Sequence, residues 1–162
     1  MAEPGGLAII WHSRTGASEA MARAIAEGAG ELARIVRAQD ANADAILCAA
    51  GLIFVCPENL GTMSGIMKDM FDRTYYAVLG KIEGRAYATA IAAGSAGQGA
   101  GSQIDRIVAG WRLHRVADPL IVNLNAQSPE SIRAWKTVAV EDLVRCHDLG
   151  KAFAEGVRIG IY

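Results

Sequence analysis

At 162 residues, 52% of them hydrophobic, the chain is long enough for one domain (1–162) with a sizeable core. A net charge of −1 without any basic block excludes nucleic acid as the expected partner, and the longest nearly uncharged apolar run, 45–56, is too short for a membrane span. Three cysteines, none paired as C-x-x-C, and an N-terminal MAEPGG without signal-peptide character predict reduced thiols and a cytoplasmic location.

The segment 7–11 (LAIIW) reads as a buried strand. A helix is predicted over 18–29, with Met21, Ala22, Ile25 and Ala29 on one face and Glu19, Arg23 and Glu27 off it. A short strand at 33–36 follows, then the most apolar strand, 51–56, which Pro57 is expected to end. Met63, Ile66, Met67, Met70 and Phe71 recur at helical spacing, with Lys68, Asp69, Asp72 and Arg73 on the outer face. A strand at 85–93, a glycine-rich turn, a helix at 101–111, a strand at 116–123 and a closing helix at 139–156 complete the pattern; Gly150 interrupts that last helix. Strands alternating with helices predict an α/β fold, a parallel sheet covered on both faces. Five strands fit a three-layer sandwich in the flavodoxin-like winding order 2-1-3-4-5, whose ligands sit beyond the carboxyl ends of the strands.

Three loops meet at that edge. The first, Ser13, Arg14, Thr15, Gly16, Ala17 and Ser18, joins a strand to a helix. A helix N-terminus there suits a phosphate, and the hydroxyls can donate to it. A plain Ser or Thr helix cap explains the stretch equally well. It is not a Walker A loop, because no G-K-S/T follows. In the second loop, Asn59 and the N–H groups between Glu58 and Met63 can bond a flat heterocycle, while Thr62 or Ser64 can cap the next helix. The third, 94–103, holds Gly97-x-Gly99-x-x-Ser102, with Asp118 about 20 residues on, where a dinucleotide fingerprint wants an acid. Only one clear strand follows it, whereas that fingerprint opens its sheet, so the dinucleotide reading is rejected. Strand three ends in Val55-Cys56 and strand one in Trp11-His12, which lack the acids of a phosphoacceptor receiver. The histidines show no metal-ligand spacing, so no metal is expected. His12 reads as a packing or capping residue.

Together these loops resemble the flavodoxin-like flavoproteins. Their phosphate loop, S/T-x-T-G-x-S/T, is matched by Ser13 to Ser18. "PENLGTMSGIMKDMFDR" is similar to a segment of the tryptophan-repressor-binding-protein type of NAD(P)H:quinone oxidoreductase and related FMN reductases, with Pro57, Gly61, Met63, Ser64, Gly65, Lys68, Asp72 and Arg73 at its positions. The resemblance implies FMN held without a covalent bond. Its phosphate would rest on Ser13, Arg14, Thr15, Gly16, Ala17 and Ser18. Its ring would lie between Pro57, Glu58, Asn59, Leu60, Gly61, Thr62 and Met63 on one side and Gly94, Ser95, Ala96, Gly97, Gln98 and Gly99 on the other. NADH or NADPH is the implied donor, and a quinone, flavin or similar small molecule the acceptor. No catalytic side chain is required, because the flavin carries the chemistry. The alternative within the resemblance is a flavodoxin that shuttles electrons without a substrate of its own. Two departures favour the reductase: the chain is not strongly acidic, and neither Pro57–Met63 nor Gly94–Gly101 contains an aromatic residue to cover the ring. The chain is shorter than the quinone-reductase type, which carries extra segments that help shape its site and its tetramer; a homo-oligomer is left open.

Overall fold

A computed structural model describes residues 5–162. The reading of the N-terminal stretch rests largely on the first four residues and lies outside the described part. The strands are β1 (Leu7–Trp11), β2 (Ala33–Arg37), β3 (Gly51–Asn59), β4 (Thr62–Met63), β5 (Ala86–Ala93), β6 (His114–Arg115) and β7 (Leu120–Asn123). The helices are α1 (Ala17–Ala29), α2 (Ala43–Leu47), α3 (Gly65–Val78), α4 (Gln98–Gly110), α5 (Pro129–Arg133) and α6 (Val140–Arg158). The parallel order is β2-β1-β3-β5, with β6 and β7 both on the outer edge of β5. That is the expected 2-1-3-4-5 order, its fifth position divided between two short strands.

The division has a local cause. Ala86 pairs with His114, and Ala90 with Leu120. While β5 advances four residues, the outer chain therefore advances six, and 116–119 bulges out. Pro119 lacks an N–H for the ladder, so the strand resumes only after it.

Pro57, by contrast, does not end β3, which runs on to Asn59 with Pro57 paired to Ala92. Successive residues of a strand turn their N–H and C=O groups to opposite neighbours. Val55 offers its carbonyl to the His12 N–H at 3.0 Å, so Pro57, two residues on, faces the same side. There β1 has already ended at Trp11, and the missing N–H leaves no gap in the ladder.

Alternation along the strands divides the core. Ile9 and Ile53 face α1 and α6, meeting Met21, Ile25 and Phe153. Ile10 and Phe54 face α3 and α4, meeting Met67, Phe71, Ile104 and Trp111. On this second face Phe54, Phe71 and Trp111 form a chain of tilted rings, with centroids 4.9 and 5.3 Å apart. Gly150 does not interrupt α6: the helix is continuous, and the glycine lies where its backbone meets α1. α4 begins at Gln98, earlier than its apolar spacing implies, and α2 fills the crossover between β2 and β3. Among the described residues, no helix is long and apolar enough to cross a membrane.

Candidate functional site

The carboxyl ends of β1, β3 and β5 open into a cleft of about 480 Å³. Ser13, Arg14, Thr15, Ala17 and Ser18 line one side of it. Ser13 Oγ accepts the Gly16 N–H at 3.0 Å and closes the turn on itself. Gly16 holds φ 95°, a left-handed conformation that favours glycine. It occupies the N-cap of α1, yet among the described residues no side chain caps that helix. The helix-cap reading of these hydroxyls therefore fails, and the N–H groups of the first helical turn have no intrahelical partner. Ser18 is 1% exposed, and its Oγ has no hydrogen-bond partner among the described residues. A buried hydroxyl left unpaired costs about 1–3 kcal/mol. Ser18 lines the cleft, so a ligand oxygen there would satisfy it.

Pro57, Glu58, Asn59, Leu60 and Gly61 form the second wall. β3 and β4 pair antiparallel, Asn59 opposite Thr62, through a two-residue turn at Leu60-Gly61. Their φ values, 55° and 76°, are both positive, as a type I′ hairpin turn requires. Leucine is a poor residue for that place: the left-handed conformation costs about 1–2 kcal/mol, and this side chain is fully exposed. Asparagine tolerates the conformation better, so Leu60→Asn will raise the melting temperature by about 2 °C. A thermal scan showing no gain would mean that the turn is unstrained.

Thr62 and Met63 do not line the cleft. The Thr62 hydroxyl is bound to the Asn59 and Met63 carbonyls, and Met63 is buried with its N–H on Gln103 Oε1 at 2.8 Å. Gly94 and Ser95 do line it, together with Ala92 and Ala93, whereas Ala96, Gly97, Gln98 and Gly99 do not. Glu58 explains this. Its carboxylate accepts the N–H groups of Gly97 (2.9 Å) and Ala100 (3.0 Å) and fills the amino end of α4. Gly99 packs against the Gly61 backbone carbonyl, so close that a Cβ there would lie 2.1 Å from that oxygen. The glycine-rich stretch thus braces the second loop from behind.

His12 is buried, with Nδ1 2.8 Å from Ser64 Oγ. Burial, aided by the positive charge of Arg14, lowers its pKa. Ser64 stands at the N-cap of α3 without capping it by its side chain, so the His12 contact ties the first loop to the start of that helix. Burial pushes the Cys56 thiol up to about 12, which leaves it no thiolate character. Tyr75 and Tyr76 form an exposed edge-on pair on α3 and do not line the cleft. Among the described residues, no cluster of three His, Cys, Asp or Glu side chains could hold a metal ion.

The sequence reading missed Leu124, Ala126, Ile132 and Lys136, which complete the lining. All four belong to the connection between β7 and α6. One signal was available: Ser128-Pro129-Glu130-Ser131 forms a capping box with proline at the start of α5.

A model of the family described as NADPH-dependent FMN reductase matches residues 36–123. A flavodoxin of Aquifex aeolicus is 34% identical over 104 residues, a stretch covering 62% of this chain but only 55% of that protein. A flavodoxin from the domain Archaea superposes with a TM-score of 0.75 at 19% identity, over 94% of this chain and 99% of its own. A WrbA-like flavodoxin protein from Agrobacterium tumefaciens gives 0.68 at 21%, over 95% and 98%. These structures share the flavodoxin-like α/β sandwich derived above. Because the family model spans more than half of the sequence, the chain belongs to the NADPH-dependent FMN reductase family.

Proposed function

We propose that this protein binds FMN and uses it to pass electrons from NADH or NADPH to a quinone, flavin or similar small acceptor. The observation that carries the reading is the Ser18 hydroxyl, buried and unpartnered at a helix N-terminus beside a left-handed glycine turn. That arrangement fits the phosphate of a mononucleotide. Ser13 to Ser18 would hold the phosphate, and Pro57 to Gly61 with Gly94 and Ser95 would border the ring. When bound, the flavin accepts a hydride and releases its electrons singly or in pairs. The chain's part is to orient the ring and keep one face open. Among the described residues, no aromatic side chain lines the cleft, which favours a site where donor and acceptor stack in turn. The three cysteines are free, in keeping with a reducing, cytoplasm-like compartment.

Leu60 lines the cleft and is fully exposed, so its side chain is free to cover part of a bound ring. Leu60→Asn, which stabilises the free protein, will weaken FMN about tenfold, because an apolar contact worth about 1–2 kcal/mol is lost.

The experiment is spectroscopic. The purified protein mixed with FMN will hold one equivalent through gel filtration, and anaerobic NADH or NADPH will bleach it. No flavin uptake would sink the proposal. Uptake with a flavin that stays oxidised under both nucleotides, yet bleaches with dithionite, would favour the electron-carrier reading, to which the flavodoxin relative also points.

A further inference from the structure

The connection at 128–138 lies over the first loop, and nothing in the loop motifs accounts for it. The Lys136 N–H donates to the Thr15 carbonyl at 2.7 Å, which ties strap to loop backbone to backbone. The Trp135 indole packs against Gly16: a Cβ on Gly16 would stand 2.4 Å from Trp135 Cε2. Lys136 itself lines the cleft, together with Ser13, Arg14, Thr15 and Ser18. Its ammonium donates to the carbonyls of Ile132 (2.9 Å) and Ala134 (2.5 Å), neutral and exposed acceptors at the end of α5.

Charge at this end of the cleft is one-sided. Among the described residues, neither Lys136 nor Arg14 forms an ion pair. Among the described residues, the only carboxylate lining the cleft, Glu58, is taken by the N–H groups of α4. Two cations without counter-ions flank a turn that offers N–H groups and an unpartnered hydroxyl. A phosphate monoester carries about −1.5 to −2 charge at neutral pH. Exchanging exposed carbonyls for its oxygens gives the lysine stronger, charge-assisted bonds.

We propose that Lys136 is a phosphate-binding residue, delivered to the site by the Trp135 strap, and that it makes the cleft select phosphorylated over unphosphorylated flavin. The proposal rests on the FMN reading of the cleft. Trp135 is a positioning residue: it holds the Gly16 turn and fixes where its neighbour emerges.

Titrations of FMN and riboflavin against wild type, Lys136→Met and Lys136→Arg, at low and high salt, test the idea. Lys136→Met will weaken FMN about 10–100-fold while leaving riboflavin unchanged, and will flatten the salt dependence of FMN binding. Lys136→Arg will stay within about threefold of wild type, since a guanidinium also binds phosphate. Equal losses for the two flavins, or no loss at all, would overturn the assignment and leave Lys136 a wall residue. Millimolar inorganic phosphate supplies a readout independent of flavin: it will raise the melting temperature of wild type but not of Lys136→Met. Should phosphate stabilise both equally, the lysine is not a ligand. Should it discriminate between them while no flavin binds, the FMN reading falls and the phosphate site stands.

Discussion

Gly16→Val will abolish measurable FMN binding, a loss of at least 100-fold, and lower the melting temperature by several degrees. Two independent effects combine. At φ 95° an L-residue sits in a region that costs about 1–2 kcal/mol, more for a β-branched side chain. Its Cβ would also lie 2.4, 2.5 and 3.0 Å from three atoms of the Trp135 indole. The ring is 74% exposed and free to move outward, but its neighbour is hydrogen-bonded to Thr15. Expelling the indole therefore strains the strap that delivers Lys136. The two effects separate in a double-mutant cycle with Trp135→Ala. Removing the indole relieves the clash and leaves the φ strain, so Gly16→Ala in that background will cost less than in wild type. Strict additivity would show that strap and turn are not coupled, and FMN binding unaltered in Gly16→Val would remove the phosphate site from this turn.

What the sequence revealed and what it hid follow from the range of the interactions. β1, β3 and β5 were legible because strands buried on both faces are apolar at nearly every position. The first loop was legible because a glycine among hydroxyls between strand and helix has few uses. The division of the fifth strand was not foreseen: 116–123 reads as one strand, with Pro119 passed over as a break. The two extra residues that make the division depend on pairing with β5, some 28 positions earlier in the chain. Pro57 misled for a related reason: whether a proline ends a strand depends on which neighbour its nitrogen faces, and the end of β1 decides that. The third loop was assigned to the ligand because its glycines suit one. That Glu58 would claim the Gly97 and Ala100 N–H groups is a contact across about 40 residues, with no periodicity to announce it. The Lys136–Thr15 bond is longer in range still, and no local pattern links the two.

Gly150→Leu will destabilise the fold by about 2–3 kcal/mol, although glycine inside a helix is itself unfavourable by about 1 kcal/mol relative to alanine. The sign is set by what lies opposite. A Cβ on Gly150 would stand 2.0 Å from the Ile25 carbonyl oxygen and 3.1 Å from the Ala29 nitrogen. One on Gly28 would stand 1.9 Å from the His147 oxygen and 3.0 Å from the Lys151 nitrogen. Each helix presents a glycine to the other's backbone, and backbone cannot rotate aside as a side chain can. Relief requires the two axes to separate, which loosens Phe153, Cys146 and Ala154 against the sheet. The melting temperature will fall by about 5–10 °C. At Gly110, the last residue of α4, an added Cβ would have none of the described residues within 4 Å, so Gly110→Ala will be neutral or slightly stabilising. A Gly150→Leu protein that melts like wild type would mean that the helices are not in backbone contact. The consequence reaches the site, because α1 carries the Ser13–Ser18 turn at its amino end. When α6 pushes α1 away, the turn shifts from beneath the strap, and FMN affinity will fall together with stability even though Gly150 lies outside the cleft lining.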